Sequence, residues 1–185
     1  MIESLLLWDQ QLFLWLNQFH HPLLNPLMLF FSGQLIWIFP ICFFLFKLRA
    51  SKENLALFIF LLICLFMLSE TTSSYLLKNI FERLRPCRVD ELKPLIYQFG
   101  QKCGGKFGFV SAHAANSVAL IFYSLGILKI ERGLSVVMMI FTALVCYSRL
   151  YLGVHYPGDL IAGAIVGLAW AKLLIKLTPD FKVRA

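Results

Sequence analysis

Long apolar segments constrain the fold of this 185-residue chain more than any other feature of its sequence. An α-helix rises about 1.5 Å per residue, so about 20 mostly apolar residues cross the roughly 30 Å hydrocarbon core of a bilayer. The mean hydropathy of +0.76 and the hydrophobic content of 59% are also unlike those of a soluble domain. The sequence therefore predicts an all-α, polytopic transmembrane helical bundle with five spans. We place these spans at residues 24–46, 55–77, 109–128, 134–152 and 159–177.

The first 22 residues differ from the predicted spans, because polar side chains interrupt their apolar run. Apolar residues recur there at helical spacing, which is typical of an amphipathic helix that lies in the membrane interface. The basic start and the cleavage site of a signal peptide are missing, so we expect this segment to stay on the protein. A sixth span is the alternative. We thus divide the chain into an interfacial helix, residues 1–22, and a single membrane domain, residues 23–185.

Five spans would place the loops alternately on the two sides of the membrane. The loops at 47–54 and 129–133 and the C-terminal tail are short and rich in Lys and Arg, which favours the cytoplasmic side for them. The loops at 78–108 and 153–158 then face outward, although they carry almost as many basic residues as the first set. Positive charge concentrated on that side needs another explanation, and binding of an anion supplies one.

Two polar stretches on this predicted outer side combine cations with a helix start. In KNIFERLRP, Lys78 and Arg85 are seven residues apart and share one face if the helix continues. In FGFVSAHAAN, Ser111 and His113 fall in the expected first turn of a span, where free backbone N–H groups favour an anion. Each stretch also has a simpler explanation. Basic residues often mark the interface by snorkelling, and the serine could only cap the helix.

A third stretch, SRLYLGVHYPGD, places a cation, an imidazole and a carboxylate at the junction of two predicted spans. Arg149 ends one span, His155 follows in the loop, and Asp159 begins the next span after a Pro-Gly turn. An aspartate four residues after a histidine can accept its Nδ1–H and leave Nε2 as a base or nucleophile. Asp159 as a helix cap is the alternative, but it leaves the other two residues unexplained.

Together the three stretches can hold a tetrahedral dianion by charge and hydrogen bonds, attack it with one histidine and protonate its leaving group with the other. Their order, Lys-x6-Arg-Pro, then Ser-x-His, then Ser-Arg-x5-His-x3-Asp, resembles the motifs of the type 2 phosphatidic acid phosphatase and haloperoxidase superfamily across residues 78–159. One position departs from the family pattern, because Val110 stands where a proline usually precedes the serine.

The resemblance implies a role for each motif residue. His155 would attack phosphorus, Asp159 would orient His155, His113 would protonate the leaving oxygen, and Ser111 would add a hydrogen bond to the phosphate. The cations that would hold the phosphate oxygens are Lys78, Arg85 and Arg149. The resemblance also implies a phosphohistidine intermediate and no cofactor, and the sequence carries no familiar metal-binding motif.

The leading interpretation is an integral membrane lipid phosphatase of a bacterial inner membrane, with its active site facing the periplasm or exterior. Small size and an outward-facing site resemble enzymes that recycle a polyprenyl diphosphate carrier, so undecaprenyl diphosphate is the first choice of substrate. Lipid A and phosphatidylglycerol phosphate are the alternatives. A non-catalytic anion or lipid transporter is a hypothesis of another class, but it leaves both histidines without a function. We infer a lipid phosphate and the bilayer as partners, and neither a nucleic acid nor an obligate protein partner.

Two features lie outside these motifs. Cys87 and Cys103 lie in the predicted outward loop, whereas the other three cysteines lie in apolar spans, so we expect a disulfide between Cys87 and Cys103. Two free thiols are the alternative. Glu70 lies inside the second predicted span, where its Thr and Ser neighbours favour a structural role over a functional intramembrane acid.

Overall fold

The computed structural model describes residues 2–50, 55–100, 103–128 and 130–178, and within these ranges the chain is helical and has no β-strand. The predicted all-helical architecture is therefore confirmed. A π-helical segment, Thr71–Leu77, joins two helices without a break. The α-helices are α1 (Ile2–Asn17), α2 (Asn25–Ser32), α3 (Ile38–Ala50), α4 (Leu55–Glu70), α5 (Lys78–Phe81), α6 (Ala112–Ile127), α7 (Arg132–Tyr151) and α8 (Pro157–Leu177).

Three helical stretches in the described part of the chain are long and apolar enough to cross a membrane: Leu55–Phe81, Arg132–Tyr151 and Pro157–Leu177. The helices α2 and α3 qualify only as a pair, and they meet at a bend of 72°. The helix α6 is apolar but has only 16 residues, or about 24 Å. Among the described residues the candidate spans therefore number three, or four if the bent pair is one span, and the predicted number of five is not confirmed.

Both departures from the predicted spans have a local cause. The apolar run at 24–46 is interrupted at Gly33, which adopts an extended conformation and ends α2. The run at 109–128 begins in a non-helical segment, because Ser111 is extended and caps the N-terminus of α6. Hydropathy records the apolar character of both runs, but it does not record these breaks.

The helix α6 lies at the centre of the bundle, where it contacts α4, α7 and α8. Its contact with α8 is close because Gly163 and Gly167 face the backbone carbonyls of Ser111 and Ala115, where a Cβ atom would collide. Small residues four apart commonly bring membrane helices together. The backbone N–H of Ser111 also donates to Asp159 O over 3.0 Å. The first turns of α6 and α8 are thereby held side by side.

The N-terminal helix α1 packs against the end of α7 and the start of α8. Asn17 donates to the carbonyls of Leu150 and Tyr151 over 2.9 and 3.0 Å, and the side chain of Phe13 is fully buried. The opposite face exposes large apolar side chains, namely Leu5, Trp8, Leu12, Trp15 and Phe19. An apolar outer face suits contact with the membrane interface. That location, and the separation of residues 1–22 from a domain at 23–185, remain predictions.

Candidate active site

The three polar stretches meet at one cavity of about 590 Å³. The predicted site residues that line it are Lys78, Arg85, His113, Arg149 and His155. The other lining residues come from α4, α6, the π-helical segment and the bend before α3: Gln34, Trp37, Phe66, Glu70, Ser74, Ala112 and Asn116. The remaining predicted residues, Ser111 and Asp159, are fully buried and do not line the cavity.

Lys78, Arg85 and Arg149 bring three positive charges to this cavity, and within the described ranges none of them forms an ion pair. The buried guanidinium of Arg85 donates to Phe107 O over 3.1 Å and to Val154 O over 3.3 Å. Burial lowers the pKa of Arg85 from its ordinary value, yet an arginine in a protein stays protonated. Because charges out of water need a counter-ion, these three cations favour an anionic ligand.

Arg149 approaches the cavity from the last turn of α7. It donates through Nη1 to Ser32 Oγ and, over 3.4 Å, to Ser32 O, so it is held against the end of α2. Its Nε has no hydrogen-bond partner among the described residues, although this atom is buried. An unsatisfied buried donor is costly, and a bound anion near this guanidinium would offset that cost.

Glu70, for which the sequence favours a structural role, reaches the same cavity from the end of α4. Its carboxylate accepts hydrogen bonds from Ser74 Oγ over 2.6 Å and from Asn116 Nδ2 over 2.7 Å. Lys78 Nζ in turn donates to Ser74 Oγ over 3.3 Å. Glu70, Ser74 and Lys78 are spaced by four and lie along one helix face, so this relay of hydrogen bonds is visible in the sequence. The relay supports the lysine without pairing it directly with the carboxylate.

His155 lies in the short loop between α7 and α8 with an exposed fraction of only 2%. Its Nδ1 is 3.2 Å from Asp159 Oδ2, and the same oxygen accepts the backbone N–H of Tyr156 over 3.0 Å. This pairing assigns the proton to Nδ1 and leaves Nε2 3.2 Å from Arg85 Nη1. Burial, followed by the nearby arginine and lysine charges, lowers the pKa of His155 well below its usual range. The lowered pKa favours the neutral imidazole, whose Nε2 then has a lone pair suited to nucleophilic attack.

His113 and Ser111 lie at the start of α6 and differ in their access to the cavity. His113 lines the cavity, and its Nε2 is 3.2 Å from Ser32 O. Ser111 is the N-cap of α6, and its buried Oγ accepts the backbone N–H of Ala114 over 3.5 Å. Ser111 thus has the capping position that the sequence leaves open as the alternative. Its contact with a phosphate remains a prediction.

The loop between α5 and α6 folds back on itself beside the cavity. A disulfide joins Cys87 to Cys103, whose Cα atoms are 5.9 Å apart. The backbone N–H of Gly108 donates to Arg83 O over 2.8 Å. A Cβ atom at Gly108 would lie 3.3 Å from Cγ of Arg85, so the loop approaches this arginine closely. These contacts fix Arg85 between the two limbs of the loop.

Two residues outside the three motif roles extend the site: Arg83 binds the carboxylate of Asp159, and Asp9 binds Arg83. Arg83 Nη1 donates to Asp159 Oδ1 over 3.0 Å, and Arg83 Nη2 is 2.7 Å from Asp9 Oδ2 of α1. Long-range ion pairs of this kind have no signature in local spacing. The sequence therefore offers no signal that would have connected α1 to this site.

An apolar groove of about 490 Å³ adjoins the polar cavity. The groove and the cavity share Trp37, Phe66 and Asn116. The rest of the groove is formed by apolar side chains of α3, α4 and α6, namely Ile41, Leu45, Ile59, Leu62, Ile63, Leu65, Met67, Ala119 and Leu120. A molecule with a charged group in the cavity can therefore extend a hydrocarbon chain into the groove.

A site that binds a phosphate could also hold a metal ion, which would need its own ligands. Within residues 2–50, 55–100, 103–128 and 130–178, no group of three or more His, Cys, Asp or Glu side chains is placed to hold a metal ion. The positive charge that faces the cavity belongs to lysine and arginine side chains.

Comparisons with known proteins are consistent with this geometry. The sequence profile of the PAP2 superfamily matches residues 56–182. A lipid A 4'-phosphatase of Bacteroides thetaiotaomicron is 36% identical over 171 residues, which cover 90% of this chain and 75% of that protein. A lipid A 4'-phosphatase of Porphyromonas gingivalis is 32% identical over 183 residues, which cover 95% of this chain and 75% of that protein.

A more distant relative and a solved structure complete the comparison. An undecaprenyl-diphosphatase of Sulfolobus acidocaldarius is 29% identical over 169 residues, which cover 89% of this chain and 75% of that protein. The crystal structure of Aquifex aeolicus LpxE superimposes with a TM-score of 0.68 at 24% identity, covering 90% of this chain and 94% of that chain. At this level of identity the structural likeness supports the fold alone.

Proposed function

The chain belongs to the PAP2 superfamily, and from this premise we propose that it is an integral membrane phosphatase that removes a phosphate group from lipid A. One observation carries the proposal: His155 lines the same cavity as three cations, and none of the three forms an ion pair with a residue that the structure describes. The adjoining apolar groove supports a substrate whose phosphate is attached to a hydrocarbon-bearing molecule.

The first chemical step is attack of His155 on phosphorus. Lys78, Arg85 and Arg149 bind the phosphate oxygens, and Arg85 exchanges its contact with His155 Nε2 for one with the phosphate. The freed lone pair forms the N–P bond as the P–O bond to the lipid breaks. The same cations stabilise the negative charge on the other phosphate oxygens in the transition state. A phosphohistidine and the lipid alkoxide are the immediate products.

The second part of the cycle returns the protons and releases phosphate. His113 protonates the leaving oxygen, and Asp159 stabilises the positive charge that His155 gains. A water molecule then attacks phosphorus and gives a proton back to His113, so that an O–P bond forms as the N–P bond breaks. Inorganic phosphate leaves, and His155 is neutral again. We propose that the fixed cations provide the charge stabilisation in these steps and that turnover needs no metal ion.

Lipid A is preferred here to undecaprenyl diphosphate, the first choice from sequence. The two relatives above 30% identity carry the name lipid A 4'-phosphatase, whereas the relative named undecaprenyl-diphosphatase is 29% identical. That name specifies a 4'-phosphate, so this phosphate is the position to test first. Undecaprenyl diphosphate remains the comparison substrate.

We further propose that the protein resides in a bacterial inner membrane with the cavity facing the periplasm. The short loops rich in Lys and Arg at the opposite ends of the helices support this orientation. Single cysteines at Arg49 and Lys106, in a variant without other free thiols, test it with a membrane-impermeant reagent on intact cells. Labelling at position 106 alone is expected. Labelling at position 49 alone would invert the orientation.

The activity test uses the purified full-length protein in mixed micelles. Lipid A, undecaprenyl diphosphate, phosphatidylglycerol phosphate and phosphatidic acid are supplied at equal mole fractions, and phosphate release is compared as kcat/KM, which measures discrimination between transition states. Release from lipid A that is lost in His155→Ala is expected. A preference of about tenfold for undecaprenyl diphosphate, or about 1.4 kcal/mol in barrier height, would replace lipid A as substrate. No release from any lipid would favour a non-catalytic transporter.

A further inference from the structure

Arg83 and Asp9 lie beside the proposed catalytic pair but do not line the cavity. Arg83 Nη1 donates to Asp159 Oδ1 over 3.0 Å, while Asp159 Oδ2 faces Nδ1 of His155 at 3.2 Å. Each oxygen of this fully buried carboxylate therefore has a partner from another residue. A carboxylate bound at both oxygens has one orientation, and that orientation fixes the imidazole.

Arg83 is itself held by three neighbours. Besides Asp159, its Nη2 is 2.7 Å from Asp9 Oδ2, and its guanidinium carbon lies 3.9 Å from the centroid of the Tyr156 ring. Asp9 Oδ1 also accepts the backbone N–H of Gly158 over 2.7 Å. One aspartate of α1 thus contacts both the arginine that binds Asp159 and the helical turn that carries Asp159.

We propose that Arg83 and Asp9 are positioning residues for the His155–Asp159 pair, so that α1 takes part in catalysis through Asp9. This inference rests on the proposed function, in which His155 attacks phosphorus. Formation of the N–P bond gives the imidazole a positive charge, and Asp159 must then be ionised and aligned with Nδ1. Arg83 favours the ionised carboxylate and sets its rotation. The carboxylate of Asp9 partly neutralises the charge of Arg83. The arginine therefore does not cancel the attraction between Asp159 and the imidazolium.

A positioning role predicts a particular division between binding and turnover. Because Arg83 does not face the cavity, Arg83→Gln should leave KM within about twofold and lower kcat about 10- to 100-fold, the range typical of groups that orient a primary functional residue. Asp9→Asn should lower kcat by a smaller factor, since Arg83 keeps its bond to Asp159. The kcat of Arg83→Lys should fall between those of Arg83→Gln and Asp9→Asn, because an ammonium keeps the charge but not the planar fork that reaches both carboxylates.

The experiment is a double-mutant cycle on the full-length protein in mixed micelles with ³²P-labelled lipid A. Arg83→Gln is made in the wild-type and in the Asp159→Asn backgrounds, and kcat and KM are measured for each. Arg88→Gln, in an exposed arginine of the same loop, is the matched control for loss of a positive charge. Glu3→Gln, in an exposed acid of α1, is the matched control for Asp9→Asn. Size-exclusion profiles and thermal denaturation identify variants that fail to fold, in which case Arg83→Lys replaces Arg83→Gln in the cycle.

The outcomes separate this inference from the function on which it rests. If Arg83 acts through Asp159, its substitution costs about 10- to 100-fold in the wild type and less than about twofold once Asp159 is asparagine. Equal losses in both backgrounds, or a loss confined to KM, would overturn the positioning role of Arg83. A kcat of Asp9→Asn equal to that of Glu3→Gln would overturn the role of α1. Full activity in His155→Ala would overturn the proposed function itself, and this inference with it.

Discussion

Replacing Asp159 by asparagine removes one negative charge from the site and changes its shape very little. His155 Nδ1 is 3.2 Å from Asp159 Oδ2. At this separation two unit charges attract each other by about 5 kcal/mol if the effective dielectric constant is about 20. The attraction exists only when His155 carries a positive charge, as in the transition state and the phosphohistidine, so it lowers the barrier rather than improving binding. We expect Asp159→Asn to lower kcat by about 10³- to 10⁴-fold and to leave KM nearly unchanged.

The assay for this variant measures initial rates of ³²P release from lipid A over a range of mole fractions, so that kcat and KM are obtained separately. Asp159 Oδ2 also accepts the backbone N–H of Tyr156 over 3.0 Å. Because an asparagine oxygen can accept that bond, the start of α8 should stay folded. The amide NH2 group cannot also accept the bond from Arg83 Nη1, so the thermal denaturation midpoint should fall without loss of the fold. A kcat within about tenfold of wild type would refute the electrostatic argument. So would a loss that appears only in KM.

Four further predictions follow from the same site. His113→Ala should slow release from lipid A by about 10²-fold or more but hardly affect p-nitrophenyl phosphate, whose leaving group needs no proton; equal losses would contradict its role as the acid. Joint substitution of Cys87 and Cys103 by serine opens a loop with a separation of 16 residues. It should destabilise that loop by about 3 kcal/mol, seen as faster amide hydrogen exchange at Gly108, and an unchanged exchange rate would argue against this. The buried imidazole of His155, surrounded by cations that lower its pKa, should stay neutral in an NMR titration of the substrate-free protein down to pH values well below its usual range; a midpoint at about 6.5 or higher would contradict this. Activity should persist in EDTA, whereas a loss that magnesium restores would refute turnover without a metal.

The helical architecture is predictable because hydropathy reports a constraint of the bilayer: backbone N–H and C=O groups must bond within the segment. The lengths of the spans are less predictable. Gly33 breaks one apolar run and Ser111 delays the start of another, and both effects depend on backbone conformation. A hydropathy window averages over such residues, so it predicts five continuous spans, whereas three helices of the described chain, or four with the bent pair, are long and apolar enough to span a membrane.

The candidate site is predictable where its residues lie in short motifs. The spacing from His155 to Asp159 is local, and the helical turn that brings them together is contained in the motif itself. Asp9 and Arg83 are different, since the contact between them depends on how α1 docks against α8. Glu70 combines local contacts, which can be predicted, with a tertiary contact, which cannot. Its spacing to Ser74 and Lys78 is visible, but its bond to Asn116 is a tertiary contact.

The two glycines of α8 also determine what can move. Gly163 and Gly167 place α8 in direct contact with the backbone of α6, so sliding of these helices would bring larger side chains against that backbone, and separation would lose the close packing and the bond from Ser111 N–H to Asp159 O. We therefore expect the helix ends next to His113 and His155 to move together through the catalytic cycle. We expect any widening that admits a bulky headgroup to involve the α2–α3 side, where the chain bends by 72° and Ser32 contacts both His113 and Arg149.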